Sequence, residues 1–132
     1  YGKSEILREG SEIALVAVGN MVEETEKLYN RFLQEGRQVT FVNARFIKPL
    51  DKAMIDHLAE SHKLIVTIEE GILHGGYGAL VEEYLESKAS DVKVLPIAIE
   101  DTFVCHGSIE ELRKMLKIDA ESIYDRIQDM ME

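Results

Sequence analysis

KLIVTIEEGILHGGYGALVEEYL, residues 63–85, is the stretch that decides the fold. After the polar Lys63, Leu64, Ile65, Val66, Thr67 and Ile68 form a largely apolar run without polar alternation. A strand covered on both faces reads this way, because neither face has to meet water. Glu69 and Glu70 end the run, and Gly71, Gly75, Gly76 and Gly78 follow. Tyr77, Leu80, Val81, Tyr84 and Leu85 then recur at helical spacing. The segment therefore predicts a central parallel strand joined by a glycine turn to an amphipathic helix.

The same alternation continues on both sides. Residues 13–18 predict a strand, followed by a helix from about Met21 to Gln34 whose inner stripe is Met21, Thr25, Leu28, Tyr29 and Phe32. Asn20 with Glu23 resembles a capping box at its start, and Gly36 stops it. Residues 39–43 predict another strand, leading past Arg45 and Pro49 to a helix that opens near Asp51 and turns Met54, Ile55, Leu58 and Ala59 inward. Residues 94–99 predict a strand that Pro96 confines to an edge or a bulge. Ser108 and Glu111 form a second capping box, opening a helix through Leu112, Met115 and Leu116. Asp119 begins a last helix with Ile123, Tyr124, Ile127 and Met131 on one face. Residues 4–8 are a short strand too close to the next one for a helical crossover, which places them antiparallel at an edge. Strands alternating with helices predict one α/β sandwich domain over residues 1–132 with a mainly parallel sheet.

Composition narrows the function. The chain has 132 residues, is 45% hydrophobic and carries a formal charge of −10 with scattered lysines and arginines. That balance argues against a nucleic-acid backbone as partner. A single cysteine, Cys105, excludes an intramolecular disulfide and cannot by itself make a thiolate zinc site. Its context fits a reducing, cytoplasmic setting, and no apolar run is long enough to predict a membrane span. The opening at Tyr1 reads as a piece of something longer.

In doubly wound sheets, ligands sit beyond the carboxyl ends of strands where the winding reverses. If the chain winds from 13–18 to 39–43 and then returns across, the reversal lies between Gly19-Asn20 and the 69–76 turn. Backbone amides at the next helix N-terminus could hold an anion there. The glycines match neither G-x-G-x-x-G nor G-x-x-x-x-G-K-[ST], so a tight packing turn or a surface for another domain is the competing reading. Glu69 and Glu70 point to opposite faces of a strand and are poorly placed as an acid–base pair. The structural reading has one of them capping backbone amides and the other in a salt bridge. His57, His62, His74 and His106 lack metal-ligand spacing, and no nucleophile elbow surrounds Ser11, Ser61 or Ser108. Arg45, at a carboxyl edge, could clamp a carboxylate or phosphate, or bridge to another domain.

Three blocks, VNARFIKPLD at 42–51, VTIEEGILHGGYGALVEEYL at 66–85 and HGSIEELRKMLKIDAESI at 106–123, carry a family resemblance. Together they resemble the carboxyl-terminal domain of 1-deoxy-D-xylulose-5-phosphate synthases, and the middle block alone resembles the wider transketolase group. Glu100 stands where that family usually has proline, and Cys105 where it usually has an acid. The resemblance implies a three-layer sandwich with a five-stranded sheet in the order 1-3-2-4-5, its first strand antiparallel, and a homodimer. It also implies a parent enzyme that joins pyruvate, with loss of CO2, to glyceraldehyde 3-phosphate, using thiamine diphosphate and Mg2+ and feeding isoprenoid, thiamine and pyridoxal synthesis. The family's Gly-Asp-Gly cofactor motif does not occur here. No catalytic, cofactor or metal residue is therefore assigned, and the piece alone is expected to be inactive. Arg45, Glu69, Glu70, His74, Gly75 and Gly76 remain as candidate interdomain or anion contacts beside the preceding domains of the parent. The alternative is a separate phosphate- or nucleotide-binding regulatory module; a small hydrolase would have only His and Glu residues and no assembled nucleophile.

Overall fold

The computed structural model describes residues 5–18, 21–44, 51–69, 76–97 and 120–131. In chain order the elements are β1 Glu5–Arg8, β2 Glu12–Val18, α1 Val22–Gln34, β3 Thr40–Ala44, α2 Lys52–Ser61, β4 His62–Ile68, α3 Tyr77–Ser87, β5 Lys93–Ile97 and α4 Ala120–Met131. The strands form one five-stranded sheet in the order β1-β3-β2-β4-β5. Only β1 is antiparallel, pairing with β3 at one edge, while β2, β3, β4 and β5 run parallel. β5 forms the other edge, so Pro96 loses no ladder partner on its open side.

Strand alternation divides the core into two layers. Ile13, Leu15 and Ala17 of β2 and Leu64, Val66 and Ile68 of β4 pack with Leu28 and Phe32 of α1 and Ile123 and Ile127 of α4. Ala14, Val16 and Ile65 face the other way, against Ile55 and Leu58 of α2 and Tyr77, Val81 and Leu85 of α3. β2 and β4 are therefore buried on both faces, which is why residues 64–68 show no polar alternation. Each fully buried Leu or Ile removes enough apolar surface to contribute roughly 1.5–3 kcal/mol, so these two strands anchor the fold.

The inner stripe of α1 is buried throughout, from Met21 to Phe32. Gly36 follows in the left-handed region at φ +78°, with its N–H on the Leu33 carbonyl, and ends the helix. Asp51 caps α2, its Oδ1 accepting from the Met54 N–H at 3.2 Å. The residue before α1 is Met21, which makes no side-chain cap bond, and the expected Asn20–Glu23 capping box falls on Asn20, outside the described residues. Packing holds this start, since Met21 is fully buried and its carbonyl accepts the Thr25 hydroxyl at 2.6 Å. The 108–116 helix and its Ser108–Glu111 box also lie outside the described residues. α4 is fastened across the layer by Glu24, whose Oε2 accepts the Ala120 N–H at 2.7 Å, and by the Tyr124 hydroxyl, which donates to Glu35.

Candidate functional site at the carboxyl edge of the sheet

β2 lies between β3 and β4, so the chain moves one way from β2 to β3 and then returns across β2 to reach β4. The winding reverses between the carboxyl ends of β2 and β4, where open α/β sheets form their ligand crevice. Val18 closes one of these strands and Ile68 the other, and Glu69 is the next residue of the chain.

Glu69 stays in phase with β4. Its N–H donates to the Ile97 carbonyl of β5 at 2.9 Å, prolonging the ladder by one step. Ile65 and Thr67 face the α2–α3 layer, and period-two alternation sends the Glu69 side chain the same way. There Oε1 accepts the Tyr77 N–H at 2.9 Å and Oε2 accepts the Gly78 N–H at 2.7 Å, with Glu69 only 4% exposed. The first amides of a helix have no partner within it, and the N-cap here, Gly76, has no side chain to offer one. A carboxylate delivered from the strand supplies both bonds, and the positive end of the helix dipole favours its charge.

Gly78 makes this contact possible. A Cβ built there would lie 2.7 Å from Thr67 Oγ1, 2.8 Å from the Pro96 Cβ and 3.5 Å from Glu69 Oε2. Only a residue without a side chain lets the first turn of α3 press this closely on β4 and β5.

Of the candidate residues, the structure brings Glu69 and the start of α3 at Gly76 together. Arg45, Glu70, His74 and Gly75 lie outside the described residues, as do Gly19, Asn20, Cys105 and His106. Among the described residues no three His, Cys, Asp or Glu side chains gather as a metal site.

A second polar cluster, at the amino edge, had no motif to announce it. His62 is 8% exposed and opens β4. Its Nδ1 lies 3.0 Å from the Leu58 carbonyl, which can only accept, so Nδ1 carries the hydrogen. Nε2 then accepts the Thr40 hydroxyl at 2.6 Å, and Thr40 Oγ1 accepts the Gly10 N–H at 3.0 Å. The ring is neutral in this arrangement, and burial lowers its pKa below the ordinary 6.5, with the Leu58 hydrogen bond opposing and His57 adding to the shift. A groove of about 640 Å3 lies alongside, bordered by His62, Lys63, Lys93 and Met131. Both ring nitrogens are committed inside the protein, so the groove receives no convergent polar group from His62. The signal that could have found this cluster is a histidine at the entry to a strand read as apolar.

The sequence matches the family described as "Transketolase, C-terminal domain" over residues 2–123. It is 44% identical over 128 residues to a 1-deoxy-D-xylulose-5-phosphate synthase of Lachnoclostridium phytofermentans, covering 96% of this chain and 20% of that protein. A synthase of the same name from Clostridium acetobutylicum is 39% identical over 127 residues, again covering 96% and 20%. The chain thus spans about a fifth of the length of the curated relatives it matches. Among solved structures, a split-gene transketolase described as an inactive beta4 tetramer superposes with a TM-score of 0.86 at 25% identity, covering 97% of this chain and 42% of that one. Among the described residues, no helix is long and apolar enough to cross a membrane.

Proposed function

The chain belongs to the transketolase carboxyl-terminal-domain family, in its 1-deoxy-D-xylulose-5-phosphate synthase branch, and we propose that it serves its parent enzyme as a scaffold and as an interdomain or dimer surface. The parent reaction is the thiamine-diphosphate-dependent joining of pyruvate to glyceraldehyde 3-phosphate with loss of CO2, carried out in the cytoplasm by a homodimer. The chemistry is assigned to the preceding domains. The carboxyl edge of this domain, where Glu69 and Gly76 lie, is the surface that meets them, with Arg45, Glu70, His74 and Gly75 as further contact candidates from the sequence.

One observation carries this reading: Tyr77 and Gly78, whose amides would receive a phosphate at the switch point, are already bonded to Glu69. A diphosphate does not fit where a buried carboxylate holds both donors, since the two anions would repel at close range in a poorly screened site. The missing Gly-Asp-Gly motif agrees. The inactive tetramer formed by the solved split-gene relative supports a piece that self-associates without working alone.

Isothermal titration of this domain, shown to be folded by circular dichroism, is expected to give no binding heat with thiamine diphosphate and Mg2+. Micromolar affinity for the cofactor in the isolated domain would overturn the reading.

A further inference from the structure

We propose that Glu69 is a resident anion and a positioning residue: its carboxylate stands where this class of fold admits a ligand phosphate, and there it ties the start of α3 to the end of β4. The inference rests on the carboxyl edge being the surface that meets the parent's other domains, and it names the residue that fixes that surface.

The geometry points to a built site. The root of Glu69 is held by its own backbone bond to Ile97, and its carboxylate by the Tyr77 and Gly78 amides, one oxygen to each. No lysine, arginine or histidine among the described residues forms an ion pair with it, so helix amides and the helix dipole are its described counterparts. A 4% exposed carboxylate without such donors would be strongly disfavoured. Gly78 sits so close to Thr67 and Pro96 that a Cβ there would clash with both, so the helix start is packed directly against β4 and β5.

The segment between these contacts begins and ends on the same carboxylate. Residue 69 supplies the acceptor, and residues 77 and 78 supply the donors. The start of α3 is therefore referred to β4, six of whose seven residues are buried. The device also accounts for a glycine-rich turn that fits neither phosphate-binding pattern: the amides are aimed at an anion, and the protein provides it from within.

Two consequences separate this from a helix cap that only adds stability. Truncating the side chain should leave an anion-shaped vacancy lined by two N–H groups, and a small carboxylate should refill it. The full-length parent enzyme carrying Glu69→Ala is the material for the test, with backbone deuterium exchange at Tyr77 and Gly78 and turnover at saturating substrate as readouts. Exchange at these two amides is expected to accelerate by about 10- to 100-fold, the range for losing a hydrogen bond to a charged group. Formate at constant ionic strength should restore both protection and turnover, whereas chloride should restore neither and wild type should respond to neither.

Absence of a formate response in a folded Glu69→Ala enzyme overturns the inference, as does phosphate-dependent protection of Tyr77 and Gly78 in wild type. If Glu69→Ala does not fold, Glu69→Gln serves, because it keeps the volume but turns an acceptor into a donor. Protection should then fall at one of the two amides, and unchanged protection at both defeats the proposal. The substitutions Arg45→Ala and His74→Ala test the interdomain reading separately. If they leave dimerisation and turnover unchanged while formate still restores amide protection in Glu69→Ala, the surface reading fails and the resident anion stands.

Discussion

β4 ends in two different polar clasps, and the difference between them shows how one strand can be fastened by opposite means. At its amino end His62 holds Thr40, Gly10 and Leu58 through a chain of neutral hydrogen bonds. Beyond its carboxyl end Glu69 holds the first two amides of α3 with a carboxylate. The chemistry follows the local supply of partners. A helix N-terminus offers only donors and a positive field, which suit an anion. The amino edge offers a carbonyl and a hydroxyl already occupied by an amide, which suit a neutral imidazole donating on one side and accepting on the other.

Both clasps depend on a glycine, and substitution there should be the most damaging change at either end. A Cβ on Gly10 would lie 2.4 Å from the Gln38 carbonyl oxygen and 2.5 Å from the Val39 carbonyl carbon, where backbone must move. On Gly78 it would meet the Thr67 and Pro96 side chains at 2.7 and 2.8 Å. Gly10→Ala and Gly78→Ala should each destabilise by about 3 kcal/mol, the upper part of the range for forced overpacking, as read from urea unfolding. Gly10→Ala is expected to be the worse of the two, because its obstacle is main chain. An equal cost would make the two ends comparably rigid, and a reversed order would make the carboxyl edge the more rigid end.

Next in size, Glu69→Ala should cost about 2–3 kcal/mol, since it leaves two buried amides unpaired at a helix start. Far-ultraviolet circular dichroism should show the loss concentrated in helix signal if α3 frays from its N-terminus. A loss below about 1 kcal/mol would place the clasp among exposed caps rather than buried ones.

The two ends also differ in how much of them could be read from sequence. Residues 64–68 announce a strand buried on both faces, Pro96 an edge, and 4–8 an antiparallel strand too near its neighbour for a crossover, because each of these signals is local. The α1 stripe is equally plain, since a helical period survives whatever the helix packs against. Glu69 is half legible: a carboxylate directly before a glycine turn and a helix has few places to go, but which of two adjacent glutamates turns inward depends on strand phase. His62 is not legible, because Gly10, Thr40 and Leu58 come from three other segments and only the folded sheet edge brings them together.

The amino-edge clasp should be the one that acid loosens. Burial lowers the folded-state pKa of His62 below 6.5, so on acidification the unfolded chain takes up the proton first. Stability is therefore complete above about pH 6.5, falls as pH drops from there toward the lowered folded value, and levels off below it. Protonation would turn Nε2 into a donor and leave the Thr40 hydroxyl hydrogen without its acceptor. His62→Gln should lower stability at neutral pH by about 1–2 kcal/mol and should flatten this part of the curve. Unfolding midpoints measured from pH 7.5 to 5 test both, and an undiminished slope in the variant would assign the acid response to other groups.

The finest discrimination lies in two buried threonines, one beside each clasp. Thr40 Oγ1 accepts from Gly10 and faces His62 Nε2, whereas Thr67 Oγ1 is buried with no hydrogen-bond partner among the described residues. Thr40→Val should remove about 1 kcal/mol or somewhat more, because the Gly10 amide and the imidazole both lose their partner. Thr67→Val exchanges an unpartnered hydroxyl for a methyl of similar shape, and the desolvation penalty of that hydroxyl disappears. It is expected to be neutral or stabilising by up to about 1 kcal/mol, offset in part by the close approach of Gly78. Opposite signs for one substitution at two sites on the same sheet would locate the polar work of this edge in the Glu69 carboxylate and not in the threonine beneath it. A destabilising Thr67→Val would instead give that hydroxyl a part in holding α3.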